Sequence, residues 1–117
     1  MPLADGKCAP GASGATALRG DALTSRLAEL PGWSVNGEHD LNRSYSFGDF
    51  KTALAFVNRV GAVAEAQGHH PDLLLVWGRV DVKIFTHSVD GLTDGDFALA
   101  AKVERLYQLP AVQIQGE

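Results

Sequence analysis

Three of the four histidines in this chain, His69, His70 and His87, stand near the ends of what reads as one β-hairpin and the helix before it. Imidazole gives and takes protons near neutral pH, so three of them at one rim of a fold suit general acid–base chemistry. Pro71 follows the pair. It cannot continue a helix, and it pushes His70 out of the helical region, so Gly68-His69-His70-Pro71 reads as the turn that ends the helix. A helix C-terminus favours the protonated imidazole. Glu65, four residues before His69 on the same helical face, can orient that ring or raise its pKa. Each of these histidines alone reads as an ordinary surface residue. The fourth, His39, lies beside Asn36-Gly37, outside the cluster, and its replacement is expected to be silent.

Other chemistries find little footing. Adjacent histidines point in different directions, and no Cys or HxxxH spacing accompanies them, which disfavours zinc. Cys8 sits in a Gly/Ala/Ser-rich stretch with no His or Cys neighbour. The chain has neither a G-x-S-x-G nor a glycine-rich phosphate loop. By themselves these residues point only to a candidate acid–base site with no cofactor motif.

The elements that position them follow from periodicity. Residues 1–17 lack pattern and bulk and read as a poorly ordered arm, leaving 18–117 as the folded domain. Leu23, Leu27 and Leu30 predict a helix from about Asp21, its N-cap, to Leu30, stopped by Pro31-Gly32. Trp33 to Val35 and Leu41 to Phe47 read as strands around an Asn36-Gly37 turn, with Arg43 on the apolar face, snorkelling or lining a subunit contact. A long helix follows, roughly Asp49 to Gln67, capped by Ser46 or Asp49. Its stripe is Phe50, Leu54, Val57, Val60 and Ala64, widened by Phe56 and Val63. Leu73 to Trp77 and Val80 to Thr86 flank Gly78-Arg79, which suits a type II′ turn. The last helix starts at Thr93, where Asp96 three residues on completes a capping-box pattern, and runs to about Leu109. The order αββαββα, with hairpins joining the strands, is an α+β domain: a four-stranded antiparallel sheet with three helices on one face.

At 117 residues the chain is one domain, and its 45% hydrophobic and 21% charged residues are ordinary for a globular protein. A net charge of -4 gives no basic face for nucleic acid, so any DNA-related role runs through a protein partner. Apolar runs fall far short of a membrane span, and Met1 to Gly20 does not read as a signal peptide. With one cysteine, a cytoplasmic location is expected. The wide apolar arc of the 49–67 helix is more than so small a domain covers, which predicts a homo-oligomer.

The stretch Glu65-Ala-Gln-Gly-His69-His70-Pro71, then Trp77, Thr86-His87, Gly91-Leu92-Thr93 and Asp96, resembles the signature of the pterin-4a-carbinolamine dehydratase family. Gly32-Trp33 and Ser46-Phe47-Gly48-Asp49-Phe50 resemble it upstream, so the likeness covers about Leu23 to Leu106. Two positions depart from it: Leu73 replaces a common aromatic, and Gly78 a more typical Asn. The resemblance implies a lyase that dehydrates 4a-hydroxytetrahydropterin to quinonoid dihydropterin, in tetrahydrobiopterin recycling, with no metal or redox cofactor. It implies His69, His70 and His87 as the catalytic set. Thr86 and Ser88 would hold the pterin, with Pro71 and Glu65 beside them and Trp33 as an apolar wall or simple core packing. Asp96 would cap the last helix and orient His70 or His87. Family analogy also implies a dimer or tetramer, and a pterin-dependent hydroxylase as a pathway partner. Two other roles accompany the family: a protein-binding dimerisation cofactor for a transcription factor, and action on a molybdopterin-related pterin.

Overall fold

A computed structural model describes residues 16–108. The chain folds in the order α1 (Gly20–Leu27), β1 (Ser34–Asn36), β2 (Asp40–Ser46), α2 (Phe50–Gln67), β3 (Asp72–Val76), β4 (Arg79–Ile84), a 3-10 turn (His87–Val89) and α3 (Asp94–Gln108). This is the expected α+β order. All strand pairs are antiparallel, in the sheet order β1-β2-β4-β3, so the two hairpins join side by side through β2 and β4. The helices cover the face that carries Leu41, Tyr45, Val80, Val82 and Ile84, while Ser44, Ser46 and Lys83 on the other face are exposed. Residues 1–15 of the expected arm lie outside the described residues. At its end Ala17 packs against Gly91, where an added Cβ would come within 2.7 Å of the Ala17 methyl.

Several boundaries differ from the sequence reading for local reasons. Helix α1 starts at Gly20 with Arg19 as its N-cap, which leaves Asp21 in the first turn, where its charge complements the positive end of the helix. After Leu27 the chain winds more tightly. The Leu30 N–H donates to the Leu27 carbonyl at 2.9 Å, and the Trp33 N–H to the Leu30 carbonyl at 3.1 Å. This winding carries Leu30 and Trp33 into the core. In the first hairpin the residues at positive φ are Gly37 and Glu38, not Asn36 and Gly37. The His39 N–H closes that turn on the Asn36 carbonyl at 2.9 Å. In the second hairpin Val76 pairs with Arg79, so the loop is Trp77-Gly78, with no positive φ at either residue. Gly78 serves close approach instead. Its carbonyl accepts the Phe47 N–H at 2.9 Å, and a Cβ there would lie 3.1 Å from the Phe47 carbonyl oxygen.

Asp49, not Ser46, caps α2; its carboxylate accepts the Thr52 N–H at 2.8 Å. The buried face of α2 is Ala53, Phe56, Val60 and Ala64. Of the expected stripe, Val60 and Ala64 belong to it, Val57 is half-buried, and Phe50 and Leu54 are exposed at 43% and 39%. Periodicity shows that a wide arc is apolar; the sheet selects which part of it is covered. The part chosen brings Phe56 against Tyr45 and Phe47, with ring centroids 5.0 and 5.2 Å apart.

The unexpected Arg43 is answered within the chain. Its guanidinium donates to Glu104 Oε1 at 2.9 Å and to the Pro31 carbonyl at 3.1 Å, and lies 4.6 Å from the centre of the Tyr45 ring. The same Glu104 oxygen accepts the Trp33 indole N–H at 3.0 Å and the Tyr45 hydroxyl at 2.7 Å. Burial, reinforced by Glu104, pushes the Tyr45 phenol far up, so it stays a donor. One carboxylate thus satisfies donors from β2 and from the segment before β1, and ties α3 to both.

Candidate active site

The end of α2 sends its two histidines in opposite directions. Gly68 adopts the left-handed conformation (φ 67), the His69 N–H bonds back to the Ala64 carbonyl and the Gly68 N–H to that of Glu65. This is a Schellman close, and glycine carries its positive φ without strain. Beyond it His69 turns inward and is buried, while His70 stays exposed.

His69 meets Asp96, which is fully buried in the first turn of α3. The His69 Nε2–H donates to Asp96 Oδ1 at 2.7 Å. The other carboxylate oxygen accepts the Thr86 hydroxyl at 2.6 Å and the Thr93 N–H at 2.8 Å. Asp96 therefore completes the capping-box bond to Thr93 and also joins α3, the end of β4 and the end of α2. A buried carboxylate is tolerated because all of these donors converge on it. The orienting role expected of Asp96 falls on His69, not on His70 or His87. Glu65 is corrected likewise. Its carboxylate lies 2.8 Å from Nε2 of His70, while His69 bonds Asp96 instead, because the Schellman turn carries His69 inward.

Downstream, Thr86 pairs with Gly91 across the 3-10 turn, and that closed loop presents His87 and Ser88 to solvent. Phe85 packs beneath His87, ring centroids 4.2 Å apart. Gly68, His69, His70, Phe85, Thr86, His87 and Ser88 line one open cleft of about 320 Å3, at the small end of ligand sites, which run roughly 300–1,000 Å3. Three imidazoles, two exposed and one anchored by a buried carboxylate, thus surround one cleft with an aromatic wall.

Two expected members are placed elsewhere. Trp33 does not line this cleft; its indole bonds Glu104 and its ring stacks edge-on to Tyr45, which is the core-packing role. Pro71 is not among the lining residues and instead leads into β3. Phe85 was missed. It continues the solvent-facing alternation of Asp81 and Lys83, and a large apolar residue in that register was the available signal. Among the described residues, no group of three or more His, Cys, Asp or Glu is arranged to hold a metal ion.

The sequence pattern of the pterin 4 alpha carbinolamine dehydratase family matches residues 16–106, nearly all of the described chain. The chain belongs to that family. A relative from Rubrobacter xylanophilus, named provisionally as a pterin-4-alpha-carbinolamine dehydratase, is 51% identical over 104 residues, 89% of this chain and 97% of the relative. The crystal structure of a transcriptional coactivator/pterin dehydratase from Brucella melitensis superposes with a TM-score of 0.72 at 36% identity, covering 76% of this chain and 96% of the other. A pterin dehydratase-like protein identified as a RuBisCO assembly factor of the alpha-carboxysome shares the fold, with a TM-score of 0.59 at 22% identity over 69% of this chain and 95% of its own. Among the described residues of this dehydratase-family member, no helix is long and apolar enough to cross a membrane.

Proposed function

We propose that this chain is a 4a-hydroxytetrahydropterin dehydratase. The observation that carries the reading is the convergence of His69, His70 and His87 on one cleft walled by Phe85. In the reaction the C4a–O bond breaks, the departing hydroxyl takes a proton and leaves as water, N5 loses its proton, and a C4a=N5 double bond forms. His70 and His87, both open to solvent, exchange these protons with substrate and bulk water. His69 is held in one orientation by Asp96 and offers a fixed contact to the ring. Thr86 and Ser88 hold the pterin edge, and Phe85 gives its face an apolar support. The chemistry requires no metal or redox cofactor, and a cytoplasmic setting, beside a pterin-dependent hydroxylase that makes the substrate, goes with it. The direct test supplies purified protein with freshly generated 4a-hydroxytetrahydropterin and follows quinonoid dihydropterin by absorbance. Acceleration over the spontaneous rate supports the reading, and an unchanged rate removes it.

A second reading has its own observation. Phe50 and Leu54 leave an apolar strip exposed on α2, and the Brucella relative is described as a coactivator as well as a dehydratase. This strip suits a second copy of the chain, giving a dimer or tetramer, or a partner protein. Light scattering at micromolar concentration is expected to show an oligomer that Leu54→Glu weakens. A monomer would discard the self-association.

A further inference from the structure

We propose that His39 is a positioning residue: gripped between Asp40 and Asp90 and packed on Phe85, it is a proton-dependent clamp on the turn that presents His87. Its Nδ1 lies 2.7 Å from Asp40 Oδ2 and its Nε2 2.8 Å from Asp90 Oδ1. Carboxylates accept and do not donate, so both bonds exist together only when both ring nitrogens carry protons. Neutral imidazole has one N–H; on deprotonation one carboxylate faces a lone pair and its bond is lost. Asp40 opens β2, whereas Asp90 closes the 3-10 turn in left-handed conformation (φ 51), its N–H bonded to the His87 carbonyl. The clamp therefore ties the sheet's rim to the end of the loop bearing His87. The His39 ring also packs on Phe85, centroids 4.5 Å apart, and Phe85 in turn packs on His87.

The surrounding charges agree. The bonds to Asp40 and then Asp90 raise the His39 pKa above 6.5. Burial works to raise Asp40, but its bonds from His39 and Asn42, with Lys83 nearby, hold it below the usual carboxylate range. Of the other charged groups on neighbouring elements, the Lys83 ammonium lies 5.9 Å from the centre of the Phe85 ring. Glu38 is occupied by the Gly20 N–H and Arg19. His87 stands beyond Phe85. A raised folded-state pKa means the clamp is fully formed below pH 6.5 and opens as pH rises through the His39 midpoint.

The inference rests on the dehydratase reading only in its kinetic arm. Asp90→Gly is the discriminating variant, because an amide at this position can still bond the ring in either protonation state, whereas glycine offers no partner. Position 90 is 88% exposed, and glycine takes the left-handed conformation without strain, so the fold is preserved. By NMR, the backbone amides of the His87–Val89 turn in wild type are expected to follow His39's titration. In the variant, the His39 midpoint moves down toward 6.5 and those amides no longer follow it. In turnover, the variant's kcat/KM is expected about fivefold below wild type when the clamp is closed, in line with a surface ion pair. It converges with wild type above the His39 midpoint, where the wild-type clamp is open too. Titrations common to both proteins cancel in the ratio. An unmoved His39 midpoint, or a ratio flat from about pH 5 to 9 across the histidine range, overturns the clamp. If wild type does not dehydrate the pterin, the functional reading falls, and the NMR titration still decides the clamp.

Discussion

Under the dehydratase reading, His87→Ala and His70→Ala are each expected to lower turnover of 4a-hydroxytetrahydropterin by about a hundred- to ten-thousand-fold, the usual contribution of a general acid–base group. The fold is expected to survive both changes. Each imidazole is exposed, and the Glu65 bonded to His70 is itself 82% exposed, so that pair contributes at most about 1 kcal/mol to stability. Circular dichroism melts alongside steady-state kinetics separate the effects: activity falls while the melting temperature holds. The double variant loses less than the product of the single losses if the two act on one proton-transfer sequence. Near wild-type turnover in both single variants would make the cleft histidines structural. The coactivator-type reading would then take precedence.

Asp96→Ala is expected to cost about 3–5 kcal/mol of folding stability, because several buried donors lose their acceptor at about 1–3 kcal/mol each. The side chain is fully buried and holds His69, Thr86 and Thr93 at once, so its loss orphans groups on three segments. Asp96→Asn keeps the shape and an acceptor oxygen, and is expected to lose about 1–3 kcal/mol. Urea unfolding of both variants checks the order. A domain of this size has roughly 5–15 kcal/mol to lose, so the alanine variant also melts far earlier. If Asp96→Ala unfolds within about 1 kcal/mol of wild type, the buried network carries little of the fold's stability.

Much of this protein was legible before any coordinates. Apolar spacing, the Gly68 and Pro71 stops and the Thr93–Asp96 capping pattern are local signals, set by backbone sterics within a few residues. They gave the αββαββα order, and the ordered string from Glu65 to Asp96 marked the family. Turn register was less legible. Asn36-Gly37 and Gly78-Arg79 each carry turn-forming residues, but pairing across the sheet chose Gly37-Glu38 and Trp77-Gly78. A strand slipped by one residue exchanges its faces, so burial of Leu41, Tyr45, Val80 and Val82 outweighs the local preference of a turn.

Partners across the fold were decided only by tertiary structure. Arg43 and Glu104, 61 positions apart, meet because α3 lies over β2. Glu65 faces His70, and Asp96 takes His69, because the left-handed Gly68 turns the chain just before the two imidazoles and sends His69 inward. His39 was expected to stand apart and to be silent when replaced; its contacts with Asp40, Asp90 and Phe85, and the clamp proposed from them, reverse that expectation. His39 reaches Asp90, 51 residues on, because the first hairpin's turn and the His87 loop come together at one rim of the sheet. Sequence determines which groups are available and which backbone turns hold them. Long-range contacts determine which charge answers which, because no local spacing encodes the distance between two elements until the core has packed them together.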